Sequence, residues 1–221
     1  MANKTDIEWC DLTVNPIVGQ CPHKCWYCYA EPIRKKMYSR EIQFLPERLK
    51  FPKKPATIFI GSMIDVFARG IRTDWIQQIL DTIKLYRQHT FLFLTKNPVR
   101  YREFDFNHIN TICGVTEDCG GYESNSYEFS EWITPVKKFI SFEPLLGNFK
   151  IELPVDIDQI IIGSLNKFRC PVTPDEGGTK KEWVLPILIK AELSNIPVFI
   201  KDELLRLYPD LPKRKELQWQ K

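Results

Sequence analysis

Residues 57–94, TIFIGSMIDVFARGIRTDWIQQILDTIKLYRQHTFLFL, decide the fold. The stretch opens on four β-branched or aromatic residues, 57–60, and turns at Gly61-Ser62. It then sets Trp75, Ile76, Ile79, Leu80 and Ile83 at helical spacing over residues 74–86, with Thr73 as the expected N-cap. It closes on a second apolar run, 90–94. Two strands apolar on both faces and joined by an amphipathic helix make a parallel βαβ unit. The same pattern predicts strands at 111–115, 138–142, 159–162 and 198–200 and a weaker one around 12–15. A second helix is expected over 182–193, provided Pro186 lies in its first turn.

Six or seven such units fall short of a complete eight-unit barrel, which takes roughly 250 residues. The expected fold class is therefore α/β, a partial (β/α) barrel of about six parallel strands. It forms one domain over residues 1–221, with 202–221 packing on it through Leu204, Leu205, Leu207, Tyr208, Leu211 and Trp219. In such folds the working site lies beyond the C-terminal strand ends. The polar residues there are Ser62 and Asp65, Thr95 and Lys96, Thr116, Glu117 and Asp118, Glu143, Ser164 and Asn166, and Lys201. Each alone is as readily a helix cap or turn former, but together they are expected to face one cavity.

A composition of 43% hydrophobic and 27% charged residues excludes a disordered chain. Apolar runs such as Ile160-Ile161-Ile162 are far shorter than the roughly 20 residues that span a membrane. The first residues lack the apolar stretch of a secretory signal, so a cytoplasmic location and no membrane partner are expected. Seven cysteines in a reducing compartment are metal ligands or reactive thiols rather than a disulfide framework. The net charge of +3 is uneven: residues 24–54 carry nine Lys/Arg against Glu31, Glu41 and Glu47. That surplus suits a phosphate-bearing partner, or is simply a solvated helix face.

Chemistry concentrates in Cys21-Pro22-His23-Lys24-Cys25-Trp26-Tyr27-Cys28. Three thiolates at these gaps can hold three corners of a cubane iron–sulfur cluster and leave the fourth iron open to a substrate or cofactor. Zinc, with His23 as fourth ligand, is the alternative, at a cramped spacing. Cys119 and Cys170 follow strand ends and are candidates for hydrogen-atom donation or further metal ligation. Cys10, Cys113 and Cys170 also read as small buried apolar residues.

The CxxxCxxC run with Tyr27 before its last cysteine resembles the signature of the radical S-adenosylmethionine superfamily. Further motifs are Ile7-Glu8-Trp9 with Asn15-Pro16, Cys28-Tyr29-Ala30-Glu31, Gly61-Ser62-Met63 with Asp65 and Phe67, and Leu94-Thr95-Lys96. Gly114-Val115-Thr116 and Ser141-Phe142-Glu143-Pro144-Leu145-Leu146-Gly147 complete the set. These resemble a phage-associated group of small radical-SAM-like proteins of unknown function, over nearly the whole chain. The resemblance implies that Cys21, Cys25 and Cys28 hold a [4Fe–4S] cluster whose open iron chelates S-adenosylmethionine. An external electron donor such as flavodoxin or ferredoxin would feed it. Reductive cleavage would yield a 5′-deoxyadenosyl radical that abstracts hydrogen from a substrate.

By the same resemblance, Tyr27 supports the adenine through its backbone, and Ser62, Met63 and Asp65 stand where the amino group of the cofactor binds. Thr95, Lys96, Thr116 and Ser141 are candidates for its carboxylate and ribose, and Glu143 for cofactor or substrate. Glu117 joins the cofactor-binding set, and Cys119 is the candidate catalytic thiol. Two places depart from the group's pattern. Glu117-Asp118-Cys119 replaces an apolar residue followed by Glu-Asn, and Gly163-Ser164-Leu165-Asn166-Lys167 replaces Gly-Gly-Glu-Ser-Gly. Both imply a changed substrate or an altered cofactor contact. A nucleic acid or nucleotide is the first substrate expected, with peptide and glycyl-radical chemistry open. A non-catalytic iron–sulfur or zinc module binding nucleic acid is the alternative.

Overall fold

The computed structural model describes residues 2–106, 110–119, 129, 137–149, 153–154, 156–165, 178–214 and 216–219. The chain forms two compact units, Met1–Gly114 with Trp132–Lys137, and Val115–Glu131 with Lys138–Lys221. In chain order the first carries β1 (Asn3–Lys4), β2 (Leu12–Val14), β3 (Ile17–Val18), α1 (Ala30–Met37), β4 (Gln43–Phe44), β5 (Thr57–Ile60), α2 (Thr73–Ile83), β6 (Thr90–Thr95) and the start of β7 (Thr111–Thr116). The second carries the end of β7, nearly all of β8 (Lys137–Phe142), β9 (Gln159–Ile162), α3 (Lys181–Leu193), β10 (Val198–Ile200) and α4 (Asp202–Leu207).

Strand order is β1-β2-β5-β6-β7 in the first unit and β7-β8-β9-β10 in the second. β2, β5 and β6 run parallel, with Val14 opposite Ile60 and Thr57 opposite Thr90. β8, β9 and β10 are also parallel, with Ser141 opposite Ile161 and Ile161 opposite Phe199. The seven strands expected from the apolar runs are all present, within a residue or so of their expected ends. The antiparallel strand β1 and the β3–β4 ribbon, each two residues long, had no periodicity to announce them.

Two helix details differ from expectation. Thr73 is the first residue of α2 rather than its cap, because Arg72 holds the extended cap backbone. The Thr73 hydroxyl instead accepts from Arg100 Nη2 at 3.2 Å. Pro186 lies in the second turn of α3, since the helix begins at Lys181. It costs the helix the bond that an N–H at 186 would give to the Glu182 carbonyl.

In the first unit, α2 turns Ile76, Ile79, Leu80 and Ile83 inward, and all four residues of β5 are buried. Phe67 is fully enclosed among Tyr101, Phe93 and Phe104, with ring centroids at 4.5, 5.3 and 5.7 Å. β5 ends at Gly61, whose φ of +87° suits glycine. A Cβ there would stand 2.5 Å from Val66 Cγ2 and 2.8 Å from the Ile64 carbonyl. The turn sends residues 62–65 toward the cysteine loop. In the second unit, Leu204, Leu211 and Leu217 are buried, and the Trp219 ring lies 5.3 Å from Phe139. Among the described residues no helix is long and apolar enough to cross a membrane.

Truncating Phe67 removes the centre of this aromatic group. Phe67→Ala is expected to lower stability by about 3–5 kcal/mol, read as a fall in the urea midpoint at unchanged m-value.

Candidate functional site

The cysteine run leaves β3 and enters α1 through short turns. Lys24 takes a left-handed φ of 50°, and its N–H donates to the Cys21 carbonyl at 3.3 Å. The Cys28 N–H donates to the Cys25 carbonyl at 3.1 Å. Cys21 is buried, while Cys25 and Cys28 are partly exposed. Three side chains fasten this loop to the loop after β5. Tyr29 donates its hydroxyl to the Ser62 carbonyl at 2.6 Å, and His23 Nε2 donates to Asp65 Oδ2 at 2.7 Å. Arg34, from α1, donates through Nη1 to the Met63 carbonyl at 2.7 Å and to Cys28 Sγ at 3.4 Å. On the far side, Asn15 Oδ1 accepts from the Met63 N–H at 2.9 Å, and its Nδ2 donates to Ser62 Oγ at 3.0 Å.

Asp65 is the hub. Beyond His23, its Oδ2 accepts from the Thr95 hydroxyl and the Lys96 N–H, both at 2.9 Å, and Oδ1 accepts from the Phe67 N–H at 2.9 Å. Three donors converge on Oδ2 and one reaches Oδ1, so Asp65 and the Thr95 hydroxyl, which also accepts from Asn97 N–H at 2.9 Å, hold the strand ends in place. The Lys96 ammonium lies 5.3 Å from the centroid of the Tyr27 ring. His23, the fourth ligand of the zinc alternative, is committed through Nε2 to Asp65.

Burial raises the Cys21 thiol above its ordinary value. The backbone N–H groups of Asp65 and His23 and the Arg34 cation pull the other way. Those donors would strengthen a ligating thiolate. Among the described residues no three His, Cys, Asp or Glu side chains meet as one ion's ligand set; the three thiolates of a cubane each bind a different iron and need not share one point. The donor chemistry of this loop therefore fits a cluster with thiolate ligands.

In the second unit, the polar strand ends form another group. Lys201 pairs with Glu143 across Gly163, where a Cβ would come within 2.9 Å of Glu143 Cγ and Cδ and 3.0 Å of Lys201 Cδ. Gly163 lets the pair close over β9. Two residues before Glu143, on β8, the Ser141 hydroxyl is fully buried and has no hydrogen-bond partner among the described residues. Thr116, Glu117 and Ser164 are buried at the ends of β7 and β9. Glu117 N–H donates to the Ser141 carbonyl at 2.9 Å. Cys119, with a left-handed φ of 57°, has its thiol pushed up to about 12, by burial first and then by the negative charges of Glu117 and Asp118. Cys10 and Cys113 are buried, as apolar cysteines should be. Asn166, Lys167 and Cys170 lie outside the described residues.

Arg34 stands in none of the motifs, Asn15 stands in one without a role, and no motif joins His23 to Asp65. Arg34 had a signal: on α1 it shares a face with Ala30, four residues back, and those two are the buried positions of that helix.

Solved structures of spore photoproduct lyase share this fold. A spore photoproduct lyase mutant with bound AdoMet and dinucleoside spore photoproduct matches at a TM-score of 0.56 and 10% identity, over 95% of this chain and 77% of that one. Spore photoproduct lyase complexed with dinucleoside spore photoproduct matches at 0.52 and 9%, with the same coverage. At such identity the likeness speaks for the fold, and it bears out the expected α/β, partial-barrel class. The chain itself belongs to the family described as "Protein of unknown function (DUF5131)", whose model matches residues 4–203. No curated protein matches.

The raised Cys119 value has a direct chemical readout. At about pH 8 its alkylation by iodoacetamide should be on the order of 10³ slower than that of a thiol of ordinary pKa. The rate should climb about tenfold per pH unit, with no plateau near pH 9. Peptide mapping by mass spectrometry follows it site by site.

Proposed function

We propose that this chain is a radical S-adenosylmethionine enzyme in which Cys21, Cys25 and Cys28 hold a [4Fe–4S] cluster. The observation that carries this is the three-cysteine loop clamped by Tyr29, His23 and Arg34 onto the loop after β5, in a fold shared with a protein that binds AdoMet. When bound, the cluster supplies the electron that cleaves the sulfonium, giving methionine and a 5′-deoxyadenosyl radical that takes a hydrogen atom from the substrate.

The chain's own residues serve that chemistry in stated ways. Backbone N–H groups and Arg34 stabilise the ligating sulfurs. Tyr27, Ser62, Met63, Asp65, Thr95 and Lys96 are the candidate cofactor contacts in the first unit, on the cysteine loop, the loop after β5 and the end of β6, which Asp65 ties together. In the second unit, Thr116, Glu117, Ser141 and Glu143 remain candidates for cofactor or substrate. Cys119 stays a neutral thiol at physiological pH, the protonation state that hydrogen-atom donation needs and thiolate nucleophilicity does not. Reduced cysteines suit a cytoplasmic compartment.

A nucleic acid or nucleotide is the substrate class favoured, because Lys24, Lys35, Lys36, Arg40, Lys50, Lys53 and Lys54 of the basic segment are exposed. An acidic electron carrier such as flavodoxin or ferredoxin is the partner favoured. Trp26 on the cysteine loop and Ile33 and Met37, one turn apart on α1, are exposed by 61, 44 and 61%, and Lys35, Lys36 and Arg40 of the same segment are exposed too.

Anaerobic reconstitution followed by reduction with S-adenosylmethionine present should release 5′-deoxyadenosine. Cys25→Ala should lose both the brown iron–sulfur absorbance and the cleavage product. Iron-free or zinc-loaded wild-type protein that releases no 5′-deoxyadenosine would refute the reading. For the substrate class, affinity for single-stranded oligonucleotides should fall steeply with salt, and absence of binding at low salt would remove nucleic acid from consideration.

A further inference from the structure

α1 is built inside out. Its exposed positions include Ile33 and Met37, whereas its buried positions are Ala30 and Arg34, the latter 5% exposed. A guanidinium taken out of water costs several kcal/mol unless an anion or good acceptors compensate it. Arg34 donates to the Met63 carbonyl and to Cys28 Sγ, and it also acts on the Cys21 thiol. Among the described residues no carboxylate pairs with it. A neutral thiol and one carbonyl leave its charge uncompensated.

We propose that the counter-charge of Arg34 is the thiolate-ligated cluster itself, and that Arg34 sets how readily that cluster accepts an electron. This rests on the cluster reading given above. A cubane held by three thiolates is an anion, and reduction adds a further negative charge. A buried cation donating N–H to a ligating sulfur stabilises the reduced state more than the oxidised one, and so raises the reduction potential. Arg34 is thus a positioning and tuning residue: one nitrogen ties Cys28 to the loop after β5 and places fixed positive charge beside the sulfurs.

The test compares reconstituted wild type, Arg34→Met, Arg34→Lys and Lys35→Met, using bound iron per chain, thermal melting by circular dichroism, and the cluster midpoint potential from EPR-monitored redox titration. Lys35 carries the same charge one residue on, with a side chain 63% exposed and paired with Glu31, so its removal should be screened by solvent. Arg34→Met is expected to keep its iron and take a more negative midpoint; Arg34→Lys should recover part of the shift, and Lys35→Met should match wild type. An unchanged midpoint in iron-loaded Arg34→Met overturns the proposal while leaving the cluster reading intact. Should Arg34→Met fail to fold or load, retained iron in Arg34→Lys supports the charge role, and loss of iron there overturns it. Wild type that takes up no iron overturns both.

Discussion

The first unit is organised around one buried carboxylate. Asp65 accepts from His23, Phe67, Thr95 and Lys96, and so joins the cysteine loop, the loop after β5 and the end of β6 at a single point. A charged acceptor with four donors makes stronger bonds than a neutral one and tolerates no substitute of different shape. Gly61 makes the arrangement possible by turning the chain sharply off β5, and Asn15 closes it from the end of β2. The cysteine loop is therefore tied by side-chain hydrogen bonds to the strand ends beside it.

Burial pushes both the Cys21 and the Cys119 thiol up, but their other neighbours differ. Cys21 is buried but lies near backbone N–H groups and a guanidinium, which favour the thiolate. Cys119 is enclosed with two carboxylates on its own segment, which favour the thiol.

Much of this was written in the sequence because the signals are local. Apolar runs such as 57–60 and 159–162 mark strands buried on both faces, and the spacing of Ile76, Ile79, Leu80 and Ile83 marks α2. The cysteine motif is equally self-contained. α1 escaped because its pattern is inverted, with a cation inside and aliphatic residues outside. The ties that build the site escaped for a different reason. Asn15 meets Met63, His23 meets Asp65, and Arg34 meets Met63 across 48, 42 and 29 residues of chain, and no periodicity encodes a bond between distant loops. Asp65 was noticed as an acid at a strand end, but its role as an internal acceptor depends on donors that folding alone brings to it.

The closed Glu143–Lys201 pair has an evolutionary corollary. Since the space over position 163 is filled by the stems of both partners, a lineage that acquires any larger residue there must shorten or redirect one of the other two. Relatives that keep a glycine at this point should retain the acid and the base together, and those that abandon it should have rebuilt that corner with different chemistry.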